Sequence, residues 1–265
     1  MTAPSPAKRL KLSKSETLDY ILTHGVINVV FQPIVRLKTR STVGWEALCR
    51  GPRGRMYSPG VLFPYAARSG RIRDLELVAC RSIASEMGKL PKSQMIAVNM
   101  SADTLADVPR LSFLIDLLAS QTSRLIIELT EHQIIKAQEL LNIKAVLAPF
   151  RRNPGIGLAI DDVGSGYSRL RSIAELQPDF IKVDKPLVDQ IVNSYTHQCV
   201  VEYLVRLSSG IGADLIAEGV ETQSQLDALR KLGVGYAQGF LFGRPMPAED
   251  INSKPQTKQA EVSLR

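Results

Sequence analysis

Short apolar runs alternate with longer amphipathic stretches along most of the chain. The short runs are rich in β-branched residues and predict eight strands, at 29–35, 41–46, 95–99, 125–129, 156–161, 180–184, 213–217 and 236–240. Apolar residues at helical spacing predict helices around these strands, at 16–22, 59–67, 72–87, 109–119, 133–150, 168–175, 196–209 and 222–232. This order of elements predicts an α/β protein.

Eight strands with helices mostly between them, in a chain of 265 residues, are the complement of a (β/α)8 barrel of the TIM type. The first two strands are joined only by residues 36–40, which is too short for a parallel crossover. We therefore expect a modified (β/α)8 barrel with one antiparallel strand near the N-terminus. A doubly wound open sheet is the alternative, but it would gather ligands at one switch point instead of at six successive strand ends.

Six of the apolar runs end in an acidic or amide residue. These residues are Glu46, Asn99, Glu128, Asp161 with Asp162, Asp184 and Glu218. Carboxylates are costly to bury unless they are paired or bind a metal, and the carboxyl ends of barrel strands meet on one rim. Oxygen-rich sites suit magnesium or manganese better than zinc. The pattern therefore predicts a divalent-metal site on this rim.

Composition narrows the class of partner. The formal net charge is +7 and the isoelectric point is about 9.4, which favours an anionic partner such as a nucleotide or phosphate. Basic residues do not alternate with aromatic ones in a stripe, so the sequence does not favour nucleic acid. The three cysteines have no paired spacing, which predicts reduced thiols near the core and a cytoplasmic location. Charged or polar residues interrupt every apolar run, so we expect no membrane segment.

The pattern also predicts the domain organisation. Residues 1–14 are rich in Pro, Ser and Lys and are expected to form a flexible basic tail. Residues 249–265 are polar and are expected to form a second tail. The predicted elements lie in a single domain at 15–248.

Several motifs give the chain a more specific resemblance. Glu46-Ala47-Leu48 is preceded by Gln32-Pro33-Ile34 and followed, in order, by Asn99-Met100-Ser101, Glu128-Leu129-Thr130-Glu131, Asp161-Asp162-Val163-Gly164-Ser165-Gly166-Tyr167-Ser168, Lys182-Val183-Asp184, Ala217-Glu218-Gly219-Val220-Glu221-Thr222 and Gln238-Gly239. From about residue 17 to 248, their order and spacing resemble the EAL-domain family of cyclic di-GMP phosphodiesterases.

The resemblance implies hydrolysis of cyclic di-GMP to linear 5'-pGpG by a metal-activated water. It implies two divalent cations, Mg²⁺ or Mn²⁺, with Ca²⁺ expected to inhibit. Two such cations can stabilise the attacking and leaving oxygens of an in-line displacement at phosphorus. The implied ligands of the first cation are Glu46, Asn99, Glu128 and Asp161; Asp161 also bridges to the second, which Asp162 completes, and Asp184 supports the metal site.

The resemblance also implies roles around the substrate. Lys182 is similar to the family lysine that holds the nucleophilic water, and Glu218 to the glutamate that acts as general base or orients the water. Arg50 is implied as a phosphate contact, since its guanidinium presents a fork of donors. The remaining implied roles are Gln32 in substrate contact, Leu48 packing against a guanine, Gln238 completing the pocket and Glu131 anchoring the loop at 162–170.

Four positions depart from the family pattern without removing an implied metal ligand. Gly51 follows Arg50 where many members have tryptophan, Ala67 stands where glutamate is frequent, Val163 replaces a phenylalanine, and Arg169 replaces a serine. These departures bear on turnover rate, the guanine pocket and regulation by the loop.

Three other functions remain open. A cyclic di-GMP receptor without turnover would have the same fold, but such members typically lack metal ligands that this chain keeps. A protein-interaction domain would be supported by the basic N-terminal arm. A barrel phosphodiesterase acting on glycerol diesters would need a histidine pair, which the sequence does not offer. A homodimer through the barrel is expected from the resemblance alone.

Overall fold

The computed structural model describes residues 12–130, 135–164 and 168–253, which form one closed barrel of eight strands with helices around it. The strands are β1 Asn28–Arg36, β2 Ser41–Arg50, β3 Met95–Ser101, β4 Arg124–Thr130, β5 Ile156–Val163, β6 Phe180–Val183, β7 Asp214–Ala217 and β8 Tyr236–Gln238. Each pairs with its sequence neighbour, and β1 closes the ring on β8. The predicted fold class is confirmed.

Helices lie around the strands and connect most of them. They are α1 Lys14–His24, α2 Pro59–Arg68, α3 Ile72–Met87, α4 Ala102–Leu105, α5 Val108–Ala119, α6 Ala137–Leu147, α7 Ser168–Leu176, α8 Lys185–Asp189, α9 Tyr195–Ile211, α10 Gln223–Lys231 and α11 Ala248–Ser253. A 3₁₀ turn at Phe150–Arg152 follows α6. No helix in the described part of the chain is long and apolar enough to cross a membrane.

The first strand runs against the others, as the short connection at 36–40 predicts. β1 is antiparallel to both β2 and β8, and every pair from β2 to β8 is parallel. The carboxyl ends of β2 to β8 therefore share one rim, which we call the upper rim. The opposite end, where these strands begin, is the floor.

All eight predicted strands are present, but several bounds differ. β2 continues to Arg50 instead of ending at residue 46, because its pairing with β1 extends from Ser41 to Arg50. The helix predicted at 133–150 is shorter, at Ala137–Leu147, and its first two predicted residues lie outside the described chain. The short helices α4, α8 and α11 were not predicted, since four to six residues give too little periodicity.

The buried apolar residues of the described chain form three clusters. The largest fills the space between the strands and the helices, where β-strand residues that point outward pack against the inner faces of the helices. A second lies between α1, α2 and α3 and includes Met56 from the loop after β2. A third fills the interior of the barrel and consists of Ile34, Met95, Ala97, Ile126, Ala159, Phe180 and Ile216.

The prediction that the cysteines lie near the core is confirmed for two of the three. Cys49 and Cys80 are buried free thiols, but Cys199 is exposed on α9, so the prediction of core thiols is wrong for that residue. Cys199 is exposed because it lies on the solvent side of the helix, beside Val200.

Residues 1–11 and 254–265 of the predicted tails lie outside the described chain. The predicted C-terminal tail begins within α11, Ala248–Ser253.

Candidate active site

The upper rim gathers the predicted strand-end residues. In the parallel register Asn99 of β3 lies opposite Glu128 of β4, and Asp161 and Lys182 come from the next two strands. Glu46 reaches the same place from the middle of β2, where it pairs with Gln32 of β1. The period of two along a strand turns Glu46, Leu48 and Arg50 to one side of β2. The barrel thus converges groups that are far apart in sequence.

Lys182 is the centre of this cluster. Its Nζ lies 2.8 Å from Glu128 Oε2 and 2.7 Å from Glu218 Oε1, with Asp161 Oδ1 at 3.4 Å and Glu46 Oε2 at 3.6 Å. The side chains of Lys182 and Glu128 are 1% and 0% exposed. One lysine therefore faces four carboxylates in a place that water hardly reaches.

Hydrogen bonds from side-chain amides hold Glu46 in place. Asn99 Nδ2 donates to Glu46 Oε1 at 2.8 Å, and Gln238 Nε2 donates to Glu46 Oε2 at 2.6 Å. Gln238 Nε2 also donates to Gln32 Oε1 at 3.0 Å, and Gln32 Nε2 donates to the carbonyl of Gly243 at 3.2 Å. Hydrogen bonds of this kind fix the orientation of a buried carboxylate. Gln238 thus contacts the acidic cluster directly, and Gln32 is linked to the cluster through Gln238.

The charges of the cluster shift one another. Burial opposes the charge of Lys182, but Asp161, Glu128, Glu218 and Glu46 hold its pKa well above the usual value. Burial raises the pKa of Glu128 well above its usual value against the effect of Lys182, with Glu46 and Asp161 adding to the rise. Burial likewise raises the pKa of Glu218 to about 8. The single lysine therefore does not offset burial and mutual repulsion for Glu128 and Glu218.

Glu46 differs from its neighbours. Burial by itself would raise its pKa, but Lys182 and the hydrogen bonds from Asn99 and Gln238 outweigh burial and lower it. Unlike Glu128 and Glu218, Glu46 is therefore favoured in its charged form by its surroundings.

A bulge in β5 sets the two adjacent aspartates apart. The register of β5 against β6 shifts between Ile160 and Val163, and Asp162 has a φ of 56°. Such backbone is strained for a residue with a side chain and is frequent beside functional sites. The result is that oxygen atoms of Asp161, Asp162 and Glu218 all lie within 4.8 Å of one another.

The donor set fits divalent cations. Asp161, Asp162 and Glu218 offer carboxylate oxygens at close range. In addition, Glu128 Oε1 is buried without a hydrogen-bond partner among the described residues. Hard cations with oxygen ligands suit such a set. Burial and the neighbouring Asp161 raise the pKa of Asp162, whereas Arg169 lowers it. Arg169, which replaces the family serine, is buried and brings a positive charge to bear on this aspartate.

Asp184 lies near Asp162 and raises its pKa, but it is not among the carboxylates whose oxygens lie within 4.8 Å of one another. Its side chain caps α8, where Oδ1 accepts the N–H of Leu187 at 3.3 Å. Burial raises its pKa against this hydrogen bond. A Cβ at Gly164 would lie 2.6 Å from Asp184 Oδ1 and 2.5 Å from Leu187 Cδ1, and Gly164 has a φ of 142°. Asp184 thus supports the loop after β5, and its role as a metal ligand stays a prediction.

The predicted substrate residues lie around the cluster. Leu48 and Arg50 are half-buried at the carboxyl end of β2, and Arg50 Nη1 donates to the carbonyl of Cys49 at 3.0 Å. Gly51 packs tightly, since a Cβ there would lie 2.1 Å from the carbonyl oxygen of Met56. Glu131 and residues 165–167 of the loop at 162–170 lie outside the described chain.

The two other departures from the family pattern have simple surroundings. Val163 is buried at the end of β5 and pairs with Val183 of β6. Ala67 is half-buried near the end of α2.

Sequence reasoning missed one buried acid beside the site. Glu76 of α3 is 2% exposed, and its two oxygens accept the N–H of Ser101 at 2.9 Å and the hydroxyl of Ser101 at 3.0 Å. Burial raises the pKa of Glu76 to about 7 against these hydrogen bonds. Ser101 ends β3 two residues after Asn99 and caps α4. The signal available in the sequence was an acid between Ile72 and Ala79 on the apolar face of α3.

Fold and site together define a class: a TIM-type barrel with a candidate divalent-metal centre on the carboxyl ends of its strands. The family is also defined. The family model of the EAL domain matches residues 15–245, and the chain belongs to this family.

Individual relatives agree with this assignment. The chain is 31% identical over 233 residues to the probable cyclic di-GMP phosphodiesterase PdeB of Escherichia coli, covering 85% of this chain and 44% of PdeB. It is similar to an EAL domain protein from Listeria monocytogenes, with 26% identity, a TM-score of 0.78 and coverage of 92% and 97% of the two chains. Klebsiella pneumoniae BlrP1, solved with cyclic di-GMP and calcium or manganese, is 33% identical, with a TM-score of 0.73 and coverage of 84% and 56%. The chain spans less than half the length of PdeB.

Proposed function

We propose that the chain hydrolyses one phosphodiester of cyclic di-GMP and releases linear 5'-pGpG. The observation that carries the proposal is the ring of four carboxylates around Lys182 on the upper rim of an EAL-family barrel. Relatives named as cyclic di-GMP phosphodiesterases and a neighbour solved with that nucleotide support the choice of substrate.

The proposed activity needs two divalent cations, Mg²⁺ or Mn²⁺. Residues proposed to hold the first are Glu46, Asn99, Glu128 and Asp161, and Asp161 and Asp162 would hold the second, with Asp184 in support. Bound cations supply positive charge to the phosphoryl oxygens and make water more acidic. Four carboxyl groups face a single lysine, which does not offset the rise in the pKa of Glu128 and Glu218, and this supports a site for further cations.

Lys182 and Glu218 are proposed to handle the attacking water. Lys182 Nζ and Glu218 Oε1 are 2.7 Å apart, so a water near both could accept a hydrogen bond from the ammonium and donate one to the carboxylate. Glu218 would then orient the water or take its proton at Oε1. Lys182 keeps its charge near the reacting phosphate, where a buried cation stabilises developing negative charge.

The substrate is proposed to lie across the end of β2. Arg50 would break its hydrogen bond to the carbonyl of Cys49 and bind a phosphate through two guanidinium donors. Leu48 would pack against a guanine base. Gln32 and Gln238 would hold Glu46 in place and complete the pocket.

Three further expectations stay proposals. Glu131 would anchor the loop at 162–170, and a homodimer would form through the barrel. The location would be cytoplasmic.

Incubation with cyclic di-GMP tests the proposal. Purified protein is incubated with Mg²⁺, Mn²⁺ or Ca²⁺, and products are separated by chromatography beside the Glu46→Gln variant. Glu221→Gln is the matched control, since Glu221 is exposed and pairs with Lys185. We expect pGpG from wild type and Glu221→Gln with Mg²⁺ or Mn²⁺, and little from Glu46→Gln or with Ca²⁺. Tight binding without product would instead identify a receptor, and neither turnover nor binding would favour an interaction domain.

A further inference from the structure

The floor of the barrel carries a cavity of about 690 Å³ on the face opposite the upper rim. Its lining comes from the first residues of several strands and the loops before them, including Met95 of β3, Arg124 of β4, Phe180 of β6 and Tyr236 of β8. Arg36 belongs to the same end because β1 is reversed and ends where β2 begins. We call this the floor cavity.

Two arginines of the floor cavity lie over two aromatic rings. The guanidinium carbon of Arg36 is 5.4 Å from the ring centre of Tyr236, and that of Arg124 is 5.3 Å from the ring centre of Phe180. The two rings meet edge to face with centres 6.0 Å apart. Each guanidinium group is thus held over one ring of an aromatic pair in the lining of the floor cavity.

No carboxylate of the described residues neutralises the positive charges of Arg36 and Arg124. Within the described residues neither Arg36 nor Arg124 forms an ion pair, and both are exposed. By contrast Arg151, which also lies on this face, is 3.0 Å from Asp179. The lining adds hydroxyl and amide groups from Thr42, Ser93, Gln94 and Ser123. Polar donors around paired arginines are typical of phosphate recognition.

We propose that the floor cavity binds a nucleotide, with its phosphate between Arg36 and Arg124 and its base stacked on a guanidinium plane. The planes of exposed arginine side chains are surfaces on which a planar base can stack. The volume is in the range of small-molecule sites. This inference does not rest on the proposed function, since none of the upper-rim residues lines the cavity.

The single tryptophan offers a reporter beside the cavity. Trp45 Nε1 donates to Gln94 Oε1 at 2.7 Å, and Gln94 lines the floor cavity. A spectrum of ¹⁵N-labelled protein has one indole N–H signal, because the chain has one tryptophan. A ligand that moves Gln94 will shift that signal.

The experiment titrates the whole 265-residue chain with GMP in buffer containing EDTA and follows the indole signal by NMR. Guanosine and inorganic phosphate are titrated separately. Arg36→Gln and Arg124→Gln are tested singly, and Arg50→Gln is the control for binding at the upper rim. Dispersed spectra establish that each variant is folded.

We expect GMP to shift the signal saturably in the wild type and in Arg50→Gln. Each floor variant should bind GMP about tenfold more weakly, which is the loss of one charge-assisted contact of roughly 1.4 kcal/mol. Phosphate or guanosine alone should also bind more weakly than GMP. The proposal is overturned if GMP gives no saturable shift, if both floor variants bind as wild type does, if Arg50→Gln removes the shift, or if phosphate alone binds as tightly as GMP.

Discussion

Lys182 and Glu128 form an ion pair inside the barrel, with Nζ 2.8 Å from Oε2 and both side chains almost fully shielded from water. Breaking a buried pair by removing one partner is costly, because the other charge is left in a medium that solvates it poorly. Lys182 Nζ also lies within 3.6 Å of carboxylate oxygens of Glu218, Asp161 and Glu46. Its removal therefore affects stability as well as chemistry.

We expect Lys182→Met to lower the free energy of unfolding by about 3–5 kcal/mol in cation-free buffer. Lys185→Met is the matched control, because Lys185 forms an exposed pair with Glu221 and such pairs contribute less than about 1 kcal/mol. Urea denaturation followed by circular dichroism measures both. Equal losses in the two variants would show that Lys182 has no special electrostatic role.

Glu76 should make stability depend on pH. Its pKa is about 7 in the folded protein and near 4.5 when unfolded, so the folded state binds the proton more tightly. Stability therefore falls as pH rises from about 4.5 to about 7, by about 3 kcal/mol in total, and then levels off.

Glu76→Gln keeps an acceptor for the Ser101 N–H and has no charge to bury. We expect it to match or exceed the wild type in stability at pH 8, and to lose that advantage near pH 4.5. Denaturant melts across this range give the difference curve. Glu202→Gln, at an exposed site on α9, should give a flat difference. A flat curve for Glu76→Gln as well would contradict the prediction.

Gly164 should not tolerate a side chain. Ala at this position would place Cβ about 2.5 Å from Leu187 and 2.6 Å from Asp184 in a φ range that suits glycine. We expect Gly164→Ala to be destabilised by about 1–3 kcal/mol. Gly210→Ala in α9 is the control, where a Cβ meets nothing within 4 Å and helix propensity should add roughly 0.5–1 kcal/mol. Thermal melts of the two variants should shift in opposite directions.

Asp162 and Asp184 should differ in cation binding. Asn caps a helix about as well as Asp, so Asp184→Asn keeps the bond from Leu187 and removes only the charge. We expect Asp162→Asn to weaken Mn²⁺ binding by about tenfold or more and Asp184→Asn by less, with little change in stability for Asp184→Asn. Calorimetric titration with MnCl₂ measures both. A larger loss for Asp184→Asn would reverse their proposed roles.

Much of this architecture follows from local pattern. Eight apolar runs of strand length, the short link at 36–40 and the acidic or amide residues that end six of the runs suffice to predict a barrel, an antiparallel strand near its N-terminus and the composition of its upper rim. These features depend on periodicity and connection length, which a sequence displays directly. The metal and substrate roles rest on family resemblance and stay predictions.

Other features depend on partners distant in sequence. β2 extends to Arg50 because β1 pairs with it along its whole length, which no property of residues 47–50 specifies. The bulge at Asp161 and Asp162 arises where β5 meets β6. Glu76 stands on the apolar face of α3, but its hydrogen-bond partner Ser101 lies 25 residues further along the chain. In each case tertiary contact overrides local preference.

The closure of β1 on β8 also determines when the site can exist. Gln238 reaches Glu46 across 192 residues of chain and Gln32 across 206. During synthesis Glu46 and Glu128 emerge well before Lys182, and a partial barrel would hold these acids without their counter-ion. They remain hydrated until the later strands arrive, since contacts of such long range form late. The full set of contacts to Glu46 is therefore complete only when β8 has closed on β1.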